Sequence, residues 1–215
     1  MPNWCNNTIE LSHTDRSKME ALVAAVNEGK FFNHVIPVPE SLSIVAGRVG
    51  EDTDPKQIDL EAQEKLNEAQ HGYKNWYDFC VNEWGTKWDT EAYDTVILPA
   101  DSNYVTFGFD TAWGPATGVY EALLDQGFAV RAYYYEPGMC FAGIFDENGD
   151  DCYDINGTSE WVQENIPGVL DEMFAISESM AEYEAENPED EDETPHEFAT
   201  PGSFTIEEGL KNENK

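Results

Sequence analysis

Basic residues are scarce: the 215-residue chain has 11 Lys and Arg against 44 Asp and Glu, a formal charge of −33. Without a basic stripe a protein has no footprint for phosphates, which excludes direct nucleic-acid binding and attachment to anionic membranes. Long apolar runs are missing too, so no membrane span is expected. The opening Met1-Pro2-Asn3-Trp4 has no basic-then-apolar leader, and a cytosolic protein is expected. Cysteine is limited to Cys5, Cys80, Cys140 and Cys152, far apart and without CxxC or HxxxH spacing. Free thiols are expected, and no metal or cofactor. There is no P-loop and no GxGxxG. Carboxylate pairs are abundant only because everything is acidic, so none is assigned a catalytic role and an enzyme is not the favoured reading.

What the chain does have is aromatic weight, with 6 Trp, 10 Tyr and 11 Phe. Disordered acidic chains avoid such a load, because they cannot bury enough apolar surface to offset chain entropy. The acid therefore decorates a folded body. From Glu178 onward, 13 acids and two lysines give a net of −11, which leaves −22 on the rest. On duplex DNA that equals the phosphates of roughly 11 base pairs.

Alternation over Asn6–Leu11 predicts a strand, and Met19, Leu22, Val23 and Val26 predict a helix that starts at Thr14-Asp15 and ends at Gly29. Pro37 and Pro39 make Phe31–Val38 an edge strand or a loop. Residues 40–90 look like an insertion, with helices over Ile58–Ala69 and Trp76–Val81. Strands follow at Thr95–Leu98 and Tyr104–Phe109, then a helix from Pro115 to Gly127, then strands over Phe128–Tyr135 and Met139–Phe145. Turns at Glu136-Pro137-Gly138 and Asp146–Gly149 lead to Cys152–Ile155.

This order predicts an α+β, ferredoxin-like split βαβ antiparallel sheet over residues 1–155, with a helical insertion at about 40–90. A C-terminal helical extension over 156–183 follows, capped by Ser159 and interrupted at Pro167, with Leu170, Met173, Phe174 and Met180 as one apolar stripe. Residues 184–215 form an acidic tail with little to pack, expected to be disordered.

Two kinds of site stand out. Asp59, Glu61, Glu64 and Glu68 lie on the insertion helix, where Glu61, Glu64 and Glu68 share a face. Asp171, Glu172, Glu178 and Glu182, continued by Glu184 and Glu186, form a second acidic stretch. Either is a partner-binding face or an ordinary solvated one. The other site is a pocket in which Trp4, Trp84, Trp88 and Trp113 supply an aromatic floor. Lys87, Asp89, Asp110 and Glu136 supply its polar groups, unless they form an internal network. Asp146, Asn148, Asp150 and Asp151 resemble half a calcium loop, but the closing Glu is missing, and a solvated turn is the better reading. His34, His71 and His196 have no evident partners.

The opening Met-Pro-Asn-Trp-Cys-Asn-Asn, the Asn-x-Trp-Gly-Thr-Lys-Trp-Asp segment ending at Asp89, the Phe109-Asp-Thr-Ala-Trp-x-Pro115 segment and the Tyr-x-Glu-x-Gly138 turn resemble a family borne by phages, prophages and plasmids. Its members are domains of unknown function. The resemblance spans roughly residues 1–146 and implies a ferredoxin-like fold and a mobile-element origin, with no activity to carry over. The acidity, the helical extension and the acidic tail depart from the family pattern. Together these features point to a cytoplasmic inhibitor that mimics nucleic-acid phosphates. Its expected partner is a basic host protein that binds DNA or RNA, such as a restriction, CRISPR-type, repair or other defence factor. This reading also admits a homodimer. The alternative is a module or enzyme that takes a nucleotide-type ligand in the Trp-rich pocket.

Overall fold

Strict alternation in the first strand organises the molecule. A computed structural model describes residues 2–187, and in it β1 (Trp4–Ser12) buries Cys5, Asn7, Ile9 and Leu11 on one face. The remaining strands are β2 (Tyr104–Ala112), β3 (Ala129–Glu136), β4 (Phe141–Asp146) and β5 (Gly149–Asp154). All pair antiparallel in the order β2-β1-β3-β4-β5. β1 therefore sits between β2 and β3, which run parallel to each other across it. Helix α5 (Thr117–Asp125) connects those two strands, completing a split βαβ unit.

The other helices are α1 (Arg16–Asn27), α2 (Phe31–Val35), α3 (Pro55–His71), α4 (Trp76–Glu83), α6 (Ser159–Asn165), α7 (Gly168–Phe174) and α8 (Ile176–Glu186). Helices α1, α2, α4 and α5 cover one sheet face, where Ile9, Leu11, Phe107 and Phe109 meet Met19, Leu22, Phe31, Phe32, Val119 and Leu123. Helices α6 to α8 cover part of the other face, over Tyr133 and Ala142, with Val162, Ile166, Leu170 and Ile176. The fold is α+β on a ferredoxin-like plan, with a helical insertion and a C-terminal helical extension. No helix among the described residues is long and apolar enough to cross a membrane.

Five local expectations are corrected. Phe31–Val35 is helical, because Phe31, Phe32 and Val35 all reach the core and a distant carboxylate, Asp89, accepts from the Phe32 and Asn33 amides. The expected strand at Thr95–Leu98 does not form. The Asn27 side chain takes both backbone groups of Val96, accepting from its N–H at 2.8 Å and donating to its C=O at 2.9 Å. Only Ala92 bridges to Phe109, at the outer edge of β2. On the extension, Leu170, Phe174 and Met180 do pack in one cluster across the break at Ala175 (φ 50°), but Met173 is exposed and lies off that stripe. The first helix of that extension takes its cap from Thr158 rather than Ser159. Of the expected tail, Glu184–Glu186 finish α8, and residues 188–215 lie outside the described residues.

Candidate functional site

The segment from Trp84 to Thr90 is a strap whose residues divide into those that hold it and those it displays. Trp84 is only 3% exposed; its indole N–H donates to the Ile36 carbonyl at 3.0 Å and its ring meets Phe32. It is a core residue, not part of a ligand floor. Gly85 has φ 84°, and a Cβ there would lie 3.0 Å from the Pro115 carbonyl oxygen. Thr86, buried, donates to the Ala112 carbonyl and accepts from the Ala112 amide. Thr90 donates to the Asp110 carbonyl at 2.8 Å. Asp89 caps α2, and its carboxylate also accepts from Thr90 N–H. Burial raises the Asp89 pKa above its ordinary 3.8 despite those three donors. Lys87 and Trp88 alone have no such duty.

Those two side chains join three more aromatics at the surface. Lys87 Nζ lies 4.2 Å from the Trp88 ring centroid, 5.5 Å from Tyr77 and 5.6 Å from Trp113. Trp4 and Trp88 have centroids 6.3 Å apart. Trp4, Trp88 and Trp113 are 46%, 41% and 46% exposed, so the group is a surface cluster and not an enclosed pocket. Trp113 sits at φ 69°, a backbone region a bulky residue enters only when its surroundings force it. Its amide donates to the Asn3 carbonyl at 2.9 Å, which ties that conformation to the start of β1. Among the described residues Lys87 has no ion pair.

The other proposed pocket groups serve the scaffold. Asp110 accepts from Asn6 at 2.8 Å and from the Tyr93 hydroxyl at 2.6 Å. Glu136 is buried and folds back on the amides of Gly138 and Met139, closing the β3–β4 turn. Beneath them Asn7, Thr111 and Tyr120 form a buried chain of hydrogen bonds. No buried side-chain polar atom among the described residues lacks a partner, as a structural network requires. His71, without an evident partner in the sequence, meets Ser41 at 2.8 Å. The Asp146 carboxylate accepts from the amide and side chain of Asn148, a closed turn. No group of metal-ligating side chains occurs among the described residues.

The acidic faces are only partly available. Glu61, Glu64 and Glu68 do share a face of α3, but they line a groove with Arg48, Lys65 and Lys74. Asp59 lies on the other side of that helix. The helix is docked through polar groups: Asn67 donates to the Ser41 and Lys74 carbonyls, while Ile58 and Leu66 are exposed. On the extension, Asp171 accepts from the amide and hydroxyl of Ser177, and Glu184 does the same for Ser159. Both carboxylates are spent inside the extension. Glu172, Glu178 and Glu182 remain exposed, as does the acidic edge strand β5 with Asp151 and Asp154. The sequence holds a signal at Ser159, which begins α6, but none at Ser177, the second residue of α8, and none for the distant acid that serves either.

No family model matches the chain, and no curated protein does. Among solved structures, the protein api92 from Yersinia pseudotuberculosis, of family-model DUF1281, is similar at 10% identity and a TM-score of 0.34, covering 73% of this chain and 99% of that one. A likeness of that size assigns no function.

Proposed function

We propose that this is an acidic interaction protein of a mobile genetic element that occupies the basic cleft of a host nucleic-acid-binding protein. Its carboxylates stand in for phosphates, and its exposed tryptophans supply an apolar anchor. One observation carries the reading. The described residues hold 35 acids and nine bases, yet form only three ion pairs, Arg16–Glu20, Lys30–Glu28 and Arg48–Asp52, all exposed. A surface left this uncompensated repels itself and is satisfied by a basic partner. Glu172, Glu178, Glu182, Asp151 and Asp154 are among the exposed carboxylates free to act. Trp4, Trp88 and Trp113 belong to the residue class that dominates binding energy at protein interfaces. The test is capture of a partner on the full chain, followed by release with duplex DNA or RNA. A captured protein that nucleic acid cannot displace would contradict the reading.

A second reading has its own support in Lys87, an ammonium among rings that no carboxylate of the described residues pairs with. A planar anionic ligand of nucleotide type could stack on Trp88 or Trp113 and meet that charge. In that case Lys87→Ala abolishes ligand binding and reversal of Glu178 and Glu182 leaves it intact.

A further inference from the structure

The rings around Lys87 are fixed without its help. Trp88 is carried on a strap hydrogen-bonded to β2 by Thr86 and Thr90. Trp113 is held at its positive φ by the Asn3 carbonyl. Tyr77 rides on the first turn of α4, where Asn75 accepts from its amide at 3.0 Å. Lys87 adds no hydrogen bond or ion pair to this frame among the described residues, so its ammonium is a guest. All three distances fall within the roughly 6 Å over which a ring face attracts a cation. The surrounding field is strongly negative, which concentrates cations and disfavours anions at the same spot.

We propose that Tyr77, Trp88 and Trp113 form a cation-accepting aromatic cage, with Lys87 as its internal occupant. On binding, a Lys or Arg side chain of the basic partner displaces Lys87 and takes its place over the Trp88 ring. The exchange replaces one cation–ring contact by another, so the ring term nearly cancels, and Lys87 acts as a built-in competitor. Its four-carbon stem can swing to solvent without disturbing the strap, whose hydrogen bonds run through Thr86, Asp89 and Thr90. The proposal deepens the reading given above and rests on it for the identity of the partner as a basic protein.

The test uses tetramethylammonium chloride titrated into the full chain at constant ionic strength, read from the indole N–H resonances of Trp88 and Trp113. Lys87→Ala is expected to bind this probe about two- to fivefold tighter than the unmodified protein, the factor equivalent to one exposed cation–ring contact. Lys87→Gln should behave the same way and serves if the alanine variant does not fold. Trp88→Ala should lose the response. Equal or weaker binding by both Lys87 variants overturns the cage. So does a response of the same resonances to inorganic phosphate that the Lys87 variants lose, which would make Lys87 an anion hook. The probe needs no macromolecular partner, so a tightened response combined with failure of nucleic acid to displace a captured partner refutes the partner reading alone.

Discussion

Asp171 accepts hydrogen bonds from both the amide and the hydroxyl of Ser177, each at 2.7 Å, across the break at Ala175. A carboxylate that looks like surface charge is therefore the cap of the following helix. Asp171→Ala should destabilise the protein by about 1–2 kcal/mol, the usual cost of losing an N-cap, in denaturant unfolding. Binding by the folded variant should be unchanged. The triple reversal Glu172→Lys, Glu178→Lys and Glu182→Lys should do the opposite, sparing stability and weakening binding.

Asp89 joins the Trp84–Thr90 strap to α2, and burial holds its carboxyl above the ordinary 3.8. A raised pKa means that the folded state takes up the proton before the unfolded chain does. The contribution of this group to stability therefore grows as pH falls through the raised value and levels off below 3.8. Asp89→Asn removes that titration. The signed stability gap, unmodified protein minus Asp89→Asn, should increase as pH falls from about 7 to about 4, measured by denaturant unfolding. A decrease would mean that the amide donors outweigh burial.

The four thiols should divide two and two. Cys5 and Cys80 are buried, and burial pushes both pKa values up to about 12, so neither yields thiolate at neutral pH. Cys140 and Cys152 are exposed. Alkylation of the native protein followed by peptide mapping should modify Cys140 and Cys152 alone, and all four in denaturant. Rapid native labelling of Cys5 would contradict the register that places it on the covered face of β1.

Trp88→Ala and Trp113→Ala remove exposed rings, so each should leave the unfolding midpoint nearly unchanged while weakening partner binding by about 1–2 kcal/mol or more. Trp84→Ala, only three residues before Lys87 but packed on Phe32, should cost about 3–5 kcal/mol of stability. Calorimetric unfolding of the three variants checks the division.

Much of the scaffold is legible from residue spacing. Met19, Leu22, Val23 and Val26 recur at helical period and all are buried on α1, with Asp15 as its cap. Val105, Phe107 and Phe109 alternate and all face the core. What fails to show is long-range hydrogen bonding. Asn27 strips Val96 of its ladder groups from 69 residues away, and Asp89 stabilises α2 from a position 56 or 57 residues on. Neither relationship has a local pattern. The aromatic site was half legible: Trp4, Lys87, Trp88 and Trp113 come together, while Trp84, Asp89, Asp110 and Glu136 turn out to hold the frame. Tyr77 joins the cluster through Lys87, ten residues further along the chain, a contact that no periodic spacing announces.

The most direct test of the central claim is the affinity for a captured basic partner, measured by calorimetry across a salt series with duplex DNA or RNA as competitor. The account predicts that binding weakens by at least about tenfold between low and moderate salt and that nucleic acid displaces the protein from its partner. Affinity that stays flat across the salt series, or a complex that nucleic acid leaves intact, would contradict it.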